Sequence, residues 1–260
     1  MKKARIDAVL AERGVFPSRS AAAGAVRAGE VRVGEDGAVA LRPSQLVEPD
    51  AELIVEGGPR FVSRGGIKLD NALESLGIDV AGLDCLDVGA STGGFTDCLL
   101  QRGASRVAAV DVAYGQLDRR IREDPRVTVL ERLNARSLSP ADLPFAPVLA
   151  TIDVSFISLT KVLPAVAGCL APRGEILAMV KPQFELGPER VPKGVVRSAA
   201  DRREAILGVA LAARDLGLPI RGFATSGLAG PKGNRETFVW CGGEGTEVAD
   251  LEAAIGTVDP

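Results

Sequence analysis

The chain has 260 residues, 46% apolar and 25% charged, with a net charge of −3 and no histidine. That length supports one full α/β domain with a small appendage, and the missing imidazole excludes His-based triads, histidine metal ligands and imidazole acid–base chemistry. No apolar run approaches the roughly 18 residues of a membrane span, and Asp7 and Glu12 interrupt the start where a signal peptide needs its apolar region, so a cytoplasmic location is expected.

Charge is uneven along the chain. Residues 1–33 carry seven Lys and Arg against three Asp and Glu, and residues 34–60 carry two against six. Ile6, Val9 and Leu10 at helical spacing predict a helix over 4–13, with Gly14 as its stop. A second helix is predicted after Pro17: Ser18 suits its N-cap, Ala21 to Ala28 propagate it and Gly29 closes it. Val31–Val33 alternates like a short strand, and Glu52–Glu56 reads as another. Two helices and short strands bearing Arg5, Arg13, Arg19 and Arg27 make a compact module whose natural ligand is phosphate.

The pattern R-x-D-x-x-L-x-E-R-G, then S-R-S-x-A, G-x-V-x-V and R-P-S resembles the αL RNA-binding domain shared by a small-subunit ribosomal protein and many pseudouridine synthases, over about residues 4–56. That resemblance implies docking on structured RNA by shape and phosphate, with Arg5, Arg13, Arg19 and Arg27 as the RNA-binding set. Gly57, Gly58 and Pro59 break the chain. The expected division is an RNA-binding domain over 1–57, a linker over 58–64 and a catalytic domain over 65–260.

Beyond the break, Leu69, Leu73 and Leu76 form one stripe of a predicted helix from Lys68 to Leu76. Strands are predicted at Asp84–Val88, Arg106–Asp111, Val127–Leu130, Val148–Asp153 and Glu175–Val180, with helices near 94–102, 115–123, 158–170 and 199–216. Such alternation predicts an α/β fold with a doubly wound, Rossmann-like, largely parallel sheet. The segments IRGFAT and ETFVWC are separated by a loop too short for a helical crossover, so the last strand is expected to be antiparallel, as in methyltransferase-type sheets.

The most telling stretch is LDVGASTGGF, Leu86 to Phe95: an apolar strand, a carboxylate, then a glycine-rich turn opening a helix. Gly89, Gly93 and Gly94 let backbone approach a ligand, and the helix start offers unpaired N–H groups. Asp111 ends the next strand and suits a ribose diol. The loop reads G-A-S-T-G-G instead of G-x-G-x-x-G, with Asp87 before its first glycine, which fits a cofactor without phosphate. S-adenosylmethionine meets that description, with Asp87 for its ammonium and Asp111 for its hydroxyls. The candidate cofactor set is Asp87, Gly89, Ala90, Ser91, Thr92, Gly93, Gly94, Asp111, Asn134 and Asp153.

In open α/β sheets the ligand crevice lies at the carboxyl ends of the strands. Asp153 and Lys181 end the fourth and fifth strands, Glu236 starts the antiparallel one at the same edge, and Lys68 heads the preceding helix. LDVGASTGGFTDCLL, DVAYGQL, TIDVSFISL, VKPQFE, VVR and GNRETF, with the N-terminal module, resemble the TlyA or hemolysin-A-type ribosomal RNA methyltransferases, whose sheet is FtsJ-like. The resemblance implies a Lys-Asp-Lys-Glu tetrad for ribose 2′-O-methylation at Lys68, Asp153, Lys181 and Glu236, acting on a cytidine in ribosomal RNA.

The residue types suit that chemistry. A ribose hydroxyl attacks only as its proton leaves, so a lysine base must be partly neutral. Lys181 is the candidate: burial and a second ammonium at Lys68 favour the neutral form, while Asp153 and Glu236 hold the geometry. A charge pair at ~4 Å in a dielectric near ~20 is worth about 4 kcal/mol, so the balance among the four decides the outcome. Alignment of oxygen, methyl and sulfur needs no metal.

No cysteine follows a proline and no N-P-P-[FY] or D-P-P-[FY] segment occurs, which leaves ribose oxygen as the acceptor class. Cys85, Cys98, Cys169 and Cys241 are far apart in apolar stretches and read as packing thiols, not a zinc site. Phe156 and Phe184 read as core, with base or adenine stacking as the alternative. The rival functions are a membrane-active hemolysin, against which the alanine-rich N-terminal helices speak, and a noncatalytic RNA-binding assembly factor.

Overall fold

The computed structural model describes residues 3–13, 15–16, 18–34, 37–55, 60–230 and 233–259. They form two compact units, Met1–Arg60 and Phe61–Pro260.

In the first unit β1 (Ala4–Arg5) leads into α1 (Ile6–Glu12), followed by α2 (Arg19–Arg27), β2 (Val31–Val33), β3 (Ala38–Val39), β4 (Leu46–Val47) and β5 (Leu53–Val55). The first helix starts later than its periodicity predicts because Ala4 and Arg5 pair with Val47 and Leu46. The Ser18 hydroxyl accepts from the Ala21 N–H at 3.2 Å and caps α2 as expected. Strand β2 lies between β3 and β5, both antiparallel to it. Ile6, Val9 and Leu10 of α1 bury against Ala22 and Val26 of α2 and Val31. Gly14, Pro17, Glu56 and the Gly57–Pro59 break lie outside the described residues.

The second unit contains α3 (Arg64–Leu76), β6 (Asp84–Val88), α4 (Gly94–Gln101), β7 (Arg106–Asp111), α5 (Arg119–Arg122), β8 (Val127–Glu131), β9 (Leu149–Ile152), α6 (Leu163–Ala167), β10 (Glu175–Val180), α7 (Pro182–Glu185), α8 (Ala199–Asp215), β11 (Ile220–Thr225), β12 (Thr237–Gly242) and α9 (Leu251–Val258). The seven strands run in the order β11-β12-β10-β9-β6-β7-β8, and β12 alone opposes its neighbours. Side chains alternate between the two faces of the sheet. Leu86, Val88, Ile176 and Ala178 enter one core with α6, α8 and α9, while Cys85, Leu177 and Met179 enter the other with α3 and α4. This double burial gives the strands their near-continuous apolar sequences.

Three expectations need correcting. The helix predicted over 115–123 contracts to Arg119–Arg122, because the residues after β7 form a loop in which Gln116 faces a cleft and Leu117 packs inward. The helix predicted over 158–170 splits into a 3₁₀ turn at Leu159–Lys161 and α6, with Pro164 in the first turn of α6, where a missing N–H costs nothing. Arg64, expected in the linker, opens α3, and the Ser63 hydroxyl accepts from the Gly65 N–H to cap it. Helix α9 was not foreseen. Asp250 caps it, and Leu251 and Ile255 bury its inner face.

Candidate active site

The glycine turn after β6 needs its glycines. Gly89 and Gly93 adopt φ of 88° and 95°, and a Cβ on Gly89 would stand 2.5 Å from the carbonyl oxygen of Asp153. Ser91 shares the left-handed region at φ 48°. A cleft of about 480 Å³ opens over this turn at the carboxyl ends of β6, β7 and β9. Gly89, Ser91, Asp111, Asn134 and Asp153 of the expected cofactor set line it, together with Val112, Gln116 and Phe156. Asp87, Ala90, Thr92, Gly93 and Gly94 are not among the residues lining it.

Asp111 joins two walls of the cleft. One carboxylate oxygen accepts from the Ser91 N–H and the other from the Ala113 N–H, each at 2.7 Å. Asn134 accepts from the Arg136 N–H at 3.0 Å and caps a short 3₁₀ turn. Asp87 is fully buried in β6. Its Oδ2 accepts from the Thr96 hydroxyl at 2.6 Å, while Oδ1 has no hydrogen-bond partner among the described residues. Burial pushes this carboxyl up to about 7; the Thr96 hydroxyl opposes the shift, and the nearby Asp153 and Asp111 add to it.

Strand register gathers the four charged residues of the expected tetrad. Val180 lies opposite Thr237 and Ala178 opposite Ile152, so Lys181 leaves β10 between the end of β9, where Asp153 follows, and the start of β12, which Glu236 precedes. They form two ion pairs. Lys68 of α3 meets Glu236, the two being only 8% and 3% exposed, and Lys181 Nζ lies 2.5 Å from Asp153 Oδ1. The Lys181 amine also donates to the Ser155 hydroxyl at 3.0 Å.

Sequence reasoning did not find Ser155 or Glu185. Glu185, on the short helix after Lys181, accepts from the Ser158 hydroxyl at 2.6 Å and the Leu159 N–H at 2.9 Å, which staples the segment after Lys181 to the loop after Asp153. Burial pushes its carboxyl up, against the pull of those two donors. Only the pattern of paired loops at a sheet edge signals such residues, and that pattern is three-dimensional. Phe156 is not core. It is 91% exposed at φ 64°, with its ring centroid 5.2 Å from that of Phe184.

In the first unit the four candidate arginines differ. Arg5 donates to Asp7 at 3.0 and 2.7 Å, Arg19 lies 3.5 Å from the same carboxylate, and Arg27 is exposed at the end of α2. Arg13 donates to the carbonyls of Pro49 and Ala51 and so binds α1 to the chain before β5. The four cysteines are free and buried, and burial drives the Cys85 and Cys241 thiols up to about 12. Among the described residues no group of three or more Cys, Asp or Glu stands ready to hold a metal, and no helix is long and apolar enough to cross a membrane.

Comparison with known proteins agrees with this arrangement. Residues 61–243 match the FtsJ-like methyltransferase family, and residues 4–53 match the S4 domain. The chain is 48% identical over 242 residues to the 16S/23S rRNA (cytidine-2'-O)-methyltransferase TlyA of Mycobacterium tuberculosis, covering 92% of this chain and 90% of that protein. It is 36% identical over 234 residues to hemolysin A of Brachyspira hyodysenteriae, covering 89% and 97%. A solved structure from Streptococcus thermophilus, described as a hemolysin, superposes with a TM-score of 0.73 at 37% identity, covering 99% of this chain and 96% of that one. The chain therefore belongs to the FtsJ-like methyltransferase family, as a TlyA-type member that joins this domain to an N-terminal S4 domain.

Proposed function

We propose that the protein transfers a methyl group from S-adenosylmethionine to the ribose 2′-oxygen of a cytidine in ribosomal RNA. The observation that carries this reading is the Lys181 amine, held beside Asp153 at the rim of the cleft while Lys68 and Glu236 pair next to it. Neither a thiol nucleophile nor a metal takes part in the scheme.

The residues fit the cofactor. Asp87 Oδ1 is a buried acceptor with no donor among the described residues, which suits an ammonium group or a water bound to it. The absent Cβ of Gly89 leaves room beside Asp153, and Asp111 and Asn134 bring polar groups to the cleft for ribose and base. Ala90, Thr92, Gly93 and Gly94 shape the turn that supports this wall. Bound S-adenosylmethionine supplies an electrophilic methyl carbon. Lys181 takes the proton of the target hydroxyl, Asp153 holds the lysine in place, and the Lys68–Glu236 pair fixes the far side of the edge. Phe156, exposed beside the cleft, offers a face to a nucleobase drawn out of its stack.

The first unit serves as the RNA-docking domain, with the exposed Arg19 and Arg27 as its phosphate contacts and Arg5 beside them on Asp7, while Arg13 holds α1 to the chain before β5; the second unit, from Phe61 onward, serves as the catalytic domain. A ribosomal substrate places the protein in the cytoplasm. Unmodified ribosomal subunits incubated with methyl-labelled cofactor and the full chain test the reading, with the label mapped by digestion. A label on a cytidine 2′-oxygen that vanishes with Lys181→Ala is expected. A label on a base, or none, overturns it.

A further inference from the structure

Two acceptors stand beside the Lys181 amine, and they differ in kind. Asp153 Oδ1 lies 2.5 Å away as an ion-pair partner, yet among the described residues no hydrogen bond of sound geometry ends on that oxygen. The directed bond runs to Ser155 Oγ at 3.0 Å. Ion-pair attraction depends mainly on distance, whereas a hydrogen bond weakens steeply once the donor turns off its axis. Asp153 therefore supplies charge, and Ser155 supplies direction.

We propose that Ser155 is a positioning residue for methyl transfer: by accepting one N–H of Lys181, its hydroxyl turns the amine's lone pair toward the ribose hydroxyl in the cleft. The inference rests on the reading of Lys181 as the base. A neutral amine has two N–H bonds and one lone pair. With one N–H on Ser155 and the other toward Asp153, the lone pair takes the remaining direction. The hydroxyl proton moves to that lone pair and leaves an ammonium. The ribose oxygen bonds to the methyl carbon as the carbon–sulfur electron pair stays with sulfur.

Ser155 is placed for this role. It lines the cleft beside Asp153, on a loop whose next turn is fastened by Glu185 through Ser158 and Leu159. Its side chain is exposed, so its removal leaves no cavity in either core.

The test compares Ser155→Ala, Ser155→Thr and Lys181→Ala in the full chain, with unmodified ribosomal subunits and labelled S-adenosylmethionine. Ser155→Ala is expected to lower kcat about tenfold or more, the scale of a misdirected catalytic group, with the KM for RNA and the calorimetric cofactor affinity unchanged. Ser155→Thr keeps the hydroxyl and restores most of kcat. Raising the pH does not rescue Ser155→Ala, because what is lost is direction and not ionisation. Wild-type kcat in Ser155→Ala while Lys181→Ala is inactive overturns the inference and leaves the base standing. A rise in KM without a fall in kcat also overturns it. Full activity in Lys181→Ala overturns the base itself, and the inference with it.

Discussion

Lys181 and Glu236 occupy adjacent strand ends, because Val180 pairs with Thr237 across the one antiparallel boundary that β10 forms. They do not pair with each other. Lys181 takes Asp153 and Glu236 takes Lys68, so the edge holds two ammonium–carboxylate pairs side by side. Each pair leaves the sheet with no unbalanced charge, and removing one member exposes the cost of the other.

Lys68 and Glu236 are nearly inaccessible, so their pairing bears on stability as well as on the proposed methyl transfer. Glu236→Gln leaves an ammonium buried without its counter-charge, and a loss of about 3–5 kcal/mol in urea unfolding is expected. Lys68→Met combined with Glu236→Leu removes both charges and recovers most of that loss, while methyl transfer stays absent. A double variant that methylates RNA at the wild-type rate would show that the pair has no part in the reaction.

Asp87 makes stability depend on pH in a predictable direction. The unfolded carboxyl releases its proton near the ordinary value of 3.8, and the folded one holds it to about 7. Between those values the folded state binds the extra proton, so this group's contribution to stability falls as pH rises from about 4 to 7 and is level above that. Asp87→Asn removes the dependence, and its thermal midpoint should gain on the wild type as pH climbs through that window. Cofactor binding runs the other way, since an ammonium favours the carboxylate: calorimetric affinity of the wild type should rise over the same range. Parallel midpoint curves for the two proteins would contradict the assignment.

How much of this was legible in the sequence depends on what kind of contact decides each feature. Asp84–Val88, Arg106–Asp111 and Glu175–Val180 are buried on both faces, so their apolar runs mark their ends. Residues 115–118 fall inside the predicted helix over 115–123 yet form loop, because Leu117 serves a tertiary contact under Gly93 and not a helical face. Asp153, Lys181 and Glu236 can be placed at one edge from strand order alone, whereas Lys68, on a helix, joins them only through the resemblance. The pairing of the four cannot be read this way, since it follows from the register of β12 on β10 and from where α3 crosses. Ser155 and Glu185 lie inside the TIDVSFISL and VKPQFE segments, but nothing in those segments gives them a role: a serine and a glutamate gain their meaning from partners on a neighbouring loop.

The close approach at Gly89 yields a sharper test of the cofactor wall. Gly89→Ala would place a methyl group 2.5 Å from the Asp153 carbonyl oxygen at a φ of 88°. Backbone strain of about 1–3 kcal/mol is expected there, together with displacement of the loop that carries Asp153. Calorimetry should show weakened S-adenosylmethionine binding in a protein that still unfolds cooperatively. Unchanged affinity would mean that the turn does not border the cofactor.

The arginines of the first unit divide by what already occupies them. Arg13 spends its guanidinium on two backbone carbonyls, whereas Arg19, with its side chain 60% exposed, has only a 3.5 Å contact with Asp7. Arg19→Glu should therefore weaken RNA binding across sequences and lower the salt slope of the binding constant by about 1, the signature of one lost phosphate contact. Arg13→Ala should instead lower the melting temperature of the unit, because it frees the chain around Pro49 and Ala51 from α1. Filter binding over a range of salt, paired with thermal melts, separates the two effects. RNA binding by Arg19→Glu with wild-type affinity and slope would take α2 out of the RNA-contacting surface.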